Sequence, residues 1–159
     1  MTSPRTRWIG LFVISLAVSL IIVDSTIVNV AVPSIVDELG ITSTEVQWVQ
    51  ESYTLVFAAL LLVFGTLGDR FGRRRMLVLG IIIFALSSVW AAFADSGSAL
   101  ILARVVQGVG GAMILPSTLS TLNATFQGRE RGIAFAVWGS TIGGMAAVGP
   151  LLGGWLTTD

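Results

Sequence analysis

Five long apolar runs dominate the chain, separated by short polar segments. They cover about residues 8–32, 46–67, 76–94, 99–126 and 132–157. Each holds on the order of 20 residues or more, enough for a helix to cross a hydrocarbon layer ~30 Å thick. The strand-like alternation that marks a membrane barrel is absent. In lipid a helix satisfies its backbone groups within itself, so the pattern predicts five transmembrane helices. The predicted connections are 34–45, 68–75, 94–98 and 127–131. The first run, Trp8 to Val32, exceeds the apolar region of about 7–15 residues in a secretory signal and shows no small-residue cleavage pattern, so it is read as a retained helix.

Composition fixes the solvent. Of 159 residues, 54% are hydrophobic and 11% charged, against roughly a quarter charged in soluble domains; the mean hydropathy is +0.88. Lipid must cover much of this surface. A formal net charge of zero conceals an asymmetry, because all nine basic residues are arginine. Arg5 and Arg7 precede the first run, Arg70, Arg73, Arg74 and Arg75 lie between the second and third, and Arg129 and Arg131 between the fourth and fifth. The alternate connections carry Asp37, Glu38, Glu45 and Asp95, with Asp159 at the end, and contain no arginine. The positive-inside rule therefore places the N-terminus and the arginine-bearing connections in the cytoplasm.

The missing residue types narrow the chemistry. Without histidine or cysteine there is no imidazole base, nucleophile–histidine pair, disulfide or thiolate metal site. Without lysine there is no Walker-type nucleotide loop. No enzyme activity, metal or cofactor is expected. The arginine cluster at 70–75 is juxtamembrane and suits anionic lipid rather than nucleic acid.

A few polar side chains fall inside the apolar runs. Arg104 lies in the fourth, where an unpaired or unhydrated arginine costs several kcal/mol. Gln107, Gly108 and Gly111 follow at the spacings that share its helix face. Asp24 lies in the outer half of the first helix, roughly 24 Å along from Trp8 at 1.5 Å per residue. A carboxyl there can load and release a proton, or meet a cationic solute, and the two would compete. Glu51 is either an ordinary interfacial acid or a third member of a cluster with Asp24 and Arg104. Trp48 and Tyr53 read as an interfacial belt or as cavity lining.

Four segments resemble motifs of the Major Facilitator Superfamily. Gly65–Leu77 reads GTLGDRFGRRRML and is similar to the superfamily's motif between helices 2 and 3. Gly65 and Gly68 would permit close helix approach, Gly72 a tight turn, and Asp69 pairs with Arg70 or Arg73 or faces a helix N-terminus. The resemblance implies that this segment, with Arg74, latches the two halves of a transporter in one state. Leu100–Ala112 reads LILARVVQGVGGA and resembles the helix 4 motif whose arginine serves proton coupling. Asp24–Pro33 reads DSTIVNVAVP and looks like the helix 1 motif of drug:proton antiporters, the fourteen-helix branch in particular, bringing Asp24 and Asn29 into the implied site. Gly139–Gly154 reads GSTIGGMAAVGPLLGG and resembles the antiporter motif of helix 5. Its Gly144, Gly149, Gly153 and Gly154 would thin the helix for packing, and Pro150 would kink it. Met145 departs from the small residue usual there.

The resemblance implies an all-α integral membrane protein, five transmembrane helices of the N-terminal half of the superfamily fold, in a bacterial plasma membrane. Residues 1–159 would form part of a six-helix bundle, the sixth helix and the C-terminal half belonging to a longer product of twelve or fourteen helices. The implied function is proton-coupled antiport, the efflux of small lipophilic or cationic compounds such as drugs. Asp24, Arg104, Asn29, Gln107 and Glu51 would serve protons and substrate. The partners would be substrate, protons, the bilayer and the remaining helices. Two alternatives stay open: a facilitator or symporter of a metabolite on the same fold, and a helical membrane fragment that does not transport.

Overall fold

A computed structural model describes residues 4–156, the side chains at 4, 149, 150 and 152–156 excepted. It is all helix: α1 (Pro4–Leu39), α2 (Ser43–Phe71), α3 (Arg73–Ala92), α4 (Gly97–Thr125) and α5 (Gly128–Leu156). No strand occurs among the described residues. Four of the helices, α1 to α4, are long and apolar enough to cross a membrane, and α5 matches α2 and α4 in length at 29 residues.

The apolar runs located the helices but understated them. α1 begins before Trp8, so that Arg5 and Arg7 ride on its first turns, and it continues through Pro33 to Leu39. The predicted connection 34–45 shrinks to residues 40–42. Hydropathy marks only the stretch inside hydrocarbon, whereas capping chemistry marks where a helix ends. Gly40 leaves α1 at φ +60°. Thr42 then caps α2: its hydroxyl accepts from the Glu45 amide at 3.3 Å, and the Glu45 carboxylate accepts the Thr42 amide at 2.8 Å, a reciprocal capping box. Between α2 and α3 a single residue is non-helical, Gly72, at φ +104°, a conformation L side chains rarely adopt. The predicted connection 68–75 is thus two helix ends meeting at one glycine. Ser96 caps α4 by accepting from the Ala99 amide. The predicted charged turn 127–131 is mostly the first turn of α5, entered at Gly128 with φ +54°.

α4 is the central helix and packs against both α2 and α3. Its small residues set those distances. A Cβ on Gly108 would lie 2.7 Å from the Tyr53 carbonyl oxygen of α2, and one on Gly110 would lie 2.8 Å from the Phe84 nitrogen of α3. A Cβ on Gly80 of α3 would likewise lie 2.9 Å from the Gly110 carbonyl oxygen. Close backbone approach of this kind is how membrane helices gain packing when lipid removes the hydrophobic drive between them. α1 packs mainly along α5 and touches α2 and α4 more sparsely. Its Leu11, Ile14, Ala17, Val18 and Ile21 form the buried stripe, while Phe12, Val13, Leu16 and Leu20 stay exposed. Large exposed apolar residues also stud α2, α3 and α4, among them Leu62, Leu86 and Leu102, a surface suited to lipid or further helices.

Side-chain contacts tie the arginine-bearing segments to one end of the bundle. Arg7 Nη1 pairs with Glu130 Oε2 at 3.0 Å, joining the starts of α1 and α5. Arg73 Nη1 donates to the Ser120 carbonyl at 2.9 Å, joining the start of α3 to the last turns of α4. At the other end Gly97 packs against Ile41 and Glu45. Charge asymmetry assigns the arginine end to the cytoplasm.

Candidate functional site

Four helices bring polar groups together in the half of the bundle away from the arginine end. α1 supplies Asp24, α4 supplies Arg104 and Gln107, α3 supplies Ser88, and α2 supplies Tyr53 and the carbonyl of Val49. Arg104 Nη1 donates to Asp24 Oδ2 at 2.5 Å and to Gln107 Oε1 at 2.7 Å, and its Nε donates to the Val49 carbonyl at 3.3 Å. The Arg104 side chain is 3% exposed and that of Asp24 20%. Burial on this scale requires the pairing, because an unpartnered charge in a low-dielectric interior is strongly destabilising.

The direction of each bond follows from its neighbours. The Ser88 hydroxyl donates to the Phe84 carbonyl at 2.8 Å, so its oxygen is left to accept. Gln107 Nε2 uses one hydrogen on Ser88 Oγ at 2.7 Å and the other on Asp24 Oδ1 at 2.7 Å. Its carbonyl oxygen is then turned toward Arg104, and the amide is fully used. Asp24 accepts from both partners, one on each carboxylate oxygen. The Tyr53 ring lies under the guanidinium, with Arg104 Cζ 4.5 Å from its centroid, within range of a cation–π contact.

A cleft of about 470 Å³ opens between α1, α2 and α4, lined by Ser25, Asn29, Glu51, Tyr53, Thr54 and Arg104 among others. The predicted residues therefore divide. Asp24, Arg104 and Gln107 meet directly. Asn29 and Glu51 line the cleft without bonding to that trio: Asn29 donates to the Ser25 carbonyl at 3.0 Å, and Glu51 accepts from Gln47 at 3.1 Å. Sequence reasoning missed Ser88, a neutral residue in an apolar run with nothing to mark it. It also placed Tyr53 no more closely than a belt or a cavity wall, whereas the residue is 6% exposed beneath Arg104.

At the cytoplasmic end, Asp69 pairs with Arg73 at 3.1 Å rather than with Arg70, whose guanidinium lies over the Phe71 ring. Arg74 is exposed. Gly65 and Gly68 approach α4 less closely than expected: a Cβ on Gly65 would sit 3.7 Å from Pro116, and one on Gly68 would sit 3.9 Å from Ser117, so both have room for a methyl group. The closest helix approach lies instead at Gly80, Gly108 and Gly110. On α5, Gly139, Gly143 and Gly144 face open space. The surroundings of Gly149, Pro150, Gly153 and Gly154 lie outside the described residues.

The sequence profile of the Major Facilitator Superfamily matches residues 14–159. The chain belongs to the Major Facilitator Superfamily. Membership points to transport rather than catalysis, and with the membrane-crossing helices it makes this a multi-pass bacterial cell-membrane protein. Curated relatives in the superfamily include the puromycin resistance protein pur8 of Streptomyces alboniger, 47% identical over 97% of this chain. The multidrug efflux pump LfrA of Mycolicibacterium smegmatis is 43% identical over the same share. The tetracenomycin C resistance and export protein of Streptomyces glaucescens is 36% identical over 94%. The chain spans about 31% of the length of the first two and 28% of the third.

Proposed function

We propose that this chain is the N-terminal part of a proton-coupled exporter of small lipophilic, often cationic, compounds. One observation carries the reading: a carboxylate, Asp24, is held inside the membrane by Arg104 and Gln107 beside a cleft of about 470 Å³. Resistance and export are what the named relatives do, and that lends the reading its cargo class.

With Asp24 ionised, the Asp24–Arg104 pair is neutral overall. A proton arriving from the outer side joins an Asp24 oxygen and leaves the cluster with one positive charge. A cationic cargo is tolerated beside the neutral cluster and repelled by the charged one, so proton and cargo favour opposite occupancies. That differential is the minimum antiport needs. Asn29 and Glu51 offer polar contacts to the cargo from the cleft wall. In this reading the 65–75 segment acts as the conformational latch, its Asp69–Arg73–Ser120 linkage tying α2, α3 and α4 together at the cytoplasmic end. The glycine face of α5 packs against helices of the other half.

The test is efflux of a lipophilic cationic dye driven by an imposed proton gradient, measured with the complete transporter that carries this segment. Asp24→Asn, which keeps the shape and one acceptor oxygen but not the charge, is expected to lose gradient-driven efflux while still inserting in the membrane. Full coupled efflux by Asp24→Asn would refute the role of Asp24.

A further inference from the structure

We propose that Tyr53 is a positioning residue that keeps Arg104 in place when Asp24 takes up a proton. The inference rests on the proton-exchange reading above and adds what that exchange demands of the arginine. A guanidinium does not deprotonate in a protein. When a proton joins Asp24, the Nη1–Oδ2 contact loses its ionic character and the buried positive charge remains. Without other partners, the arginine would be stranded or swing out toward water, and the proton would be disfavoured at Asp24 to the same extent.

The site supplies neutral partners for that state. The Val49 carbonyl holds Nε and Gln107 Oε1 holds Nη1, but Val49 contributes only backbone, and Gln107 is also bound to Asp24. Tyr53 contacts the guanidinium with its ring face and makes no hydrogen bond to the carboxylate. Its hydroxyl is buried and has no hydrogen-bond partner. A tyrosine retained for its hydroxyl would normally find one, so the ring is the part in use. Neighbours on α2 and α4 set the position of Tyr53. Phe57 stacks on it at 5.9 Å and 18°. Gly108 admits the Tyr53 backbone, and Gly111 leaves the space beside the hydroxyl, where a Cβ would lie 3.0 Å away. Both glycines sit on the Arg104 face of α4, so ring and cation are registered by the same helix. The other carboxylate on the cleft, Glu51, is bound to Gln47. The charged residues of α3 and α5 lie at their opposite, cytoplasmic ends.

The experiment uses the complete transporter reconstituted in liposomes, with Tyr53→Phe, Tyr53→Leu and Tyr53→Met compared against the parent. Readouts are gradient-driven dye exchange, dye binding without a gradient, and thermal stability. The aliphatic variants are expected to lose exchange by roughly thirtyfold, the scale of a desolvated cation–π contact of about 2 kcal/mol, while still binding dye. Tyr53→Phe restores exchange, since it keeps the ring and removes an unpartnered hydroxyl. Exchange by Tyr53→Leu or Tyr53→Met equal to the parent would overturn the proposal. So would failure of Tyr53→Phe, which would assign the role to the hydroxyl and is readable even if neither aliphatic variant folds. A raised KM with unchanged kcat would make Tyr53 a cargo contact and overturn it too. Absence of gradient-driven exchange in the parent would instead sink the exporter reading.

Discussion

Replacing Gly108 by alanine tests whether close helix approach positions the polar cluster. The added methyl would sit 2.7 Å from the Tyr53 carbonyl oxygen and 3.1 Å from Val56 Cβ, where ordinary contact begins at 3.4 Å. The obstacle is backbone, which cannot rotate away, so α2 must withdraw by about 0.7 Å along this contact. Overpacking of this kind costs about 1–3 kcal/mol, and a clash with backbone belongs at the upper end. Alanine regains about 1 kcal/mol of helix propensity. The net expected loss is about 2 kcal/mol, or a Tm drop of roughly 4–8 °C for a chain of this size. Gly65→Ala is the matched control. Its methyl meets Pro116 at 3.7 Å, so it keeps the propensity gain without the clash and leaves Tm unchanged or slightly raised. Thermal unfolding of both variants in the same detergent decides the matter. Equal Tm values for the two variants would refute the argument that the α2–α4 distance is set at Gly108.

Gln107→Leu removes the amide that serves Asp24, Arg104 and Ser88 together; leaving buried polar groups unmatched costs about 1–3 kcal/mol, read as a lower Tm with weakened gradient-driven efflux. The Arg7–Glu130 pair is partly exposed on both sides, 25% and 45%, so Glu130→Gln is expected to change stability by less than about 1 kcal/mol, a small effect that a thermal shift measures directly. Because the chain contains no cysteine, single-cysteine labelling reports topology without background: with an impermeant maleimide, Asn29→Cys reacts from outside the cell and Arg129→Cys only after the inner face is exposed. The reverse pattern would invert the orientation.

Legibility in the sequence followed the strength of the physical signal. Hydrocarbon demands unbroken apolar runs, so every helix was visible, and arginine placement gave the orientation. Helix ends were not visible in hydropathy, because α1 beyond Val32 and α5 before Gly132 leave the apolar layer while remaining helical. Their signals were chemical: the Thr42–Glu45 box and the glycines at 40, 72 and 128. Asp24 and Arg104 stood out because charge in lipid is costly, and Gln107 because it shares a face with Arg104. Ser88 carries no charge and sits in an ordinary apolar run, so only the fold brings it to Gln107. Glu51 was drawn toward the cluster by its depth along α2, yet its rotation about that helix turns it toward Gln47 and the cleft.

The bundle falls into two closely packed groups, α1 with α5 and α2 with α3 and α4, that touch one another sparingly. The bonds from Asp24 to Arg104 and to Gln107 cross that divide. Under the proposed mechanism, a charge gained or lost at that one carboxylate would act on the seam between the two groups rather than inside either.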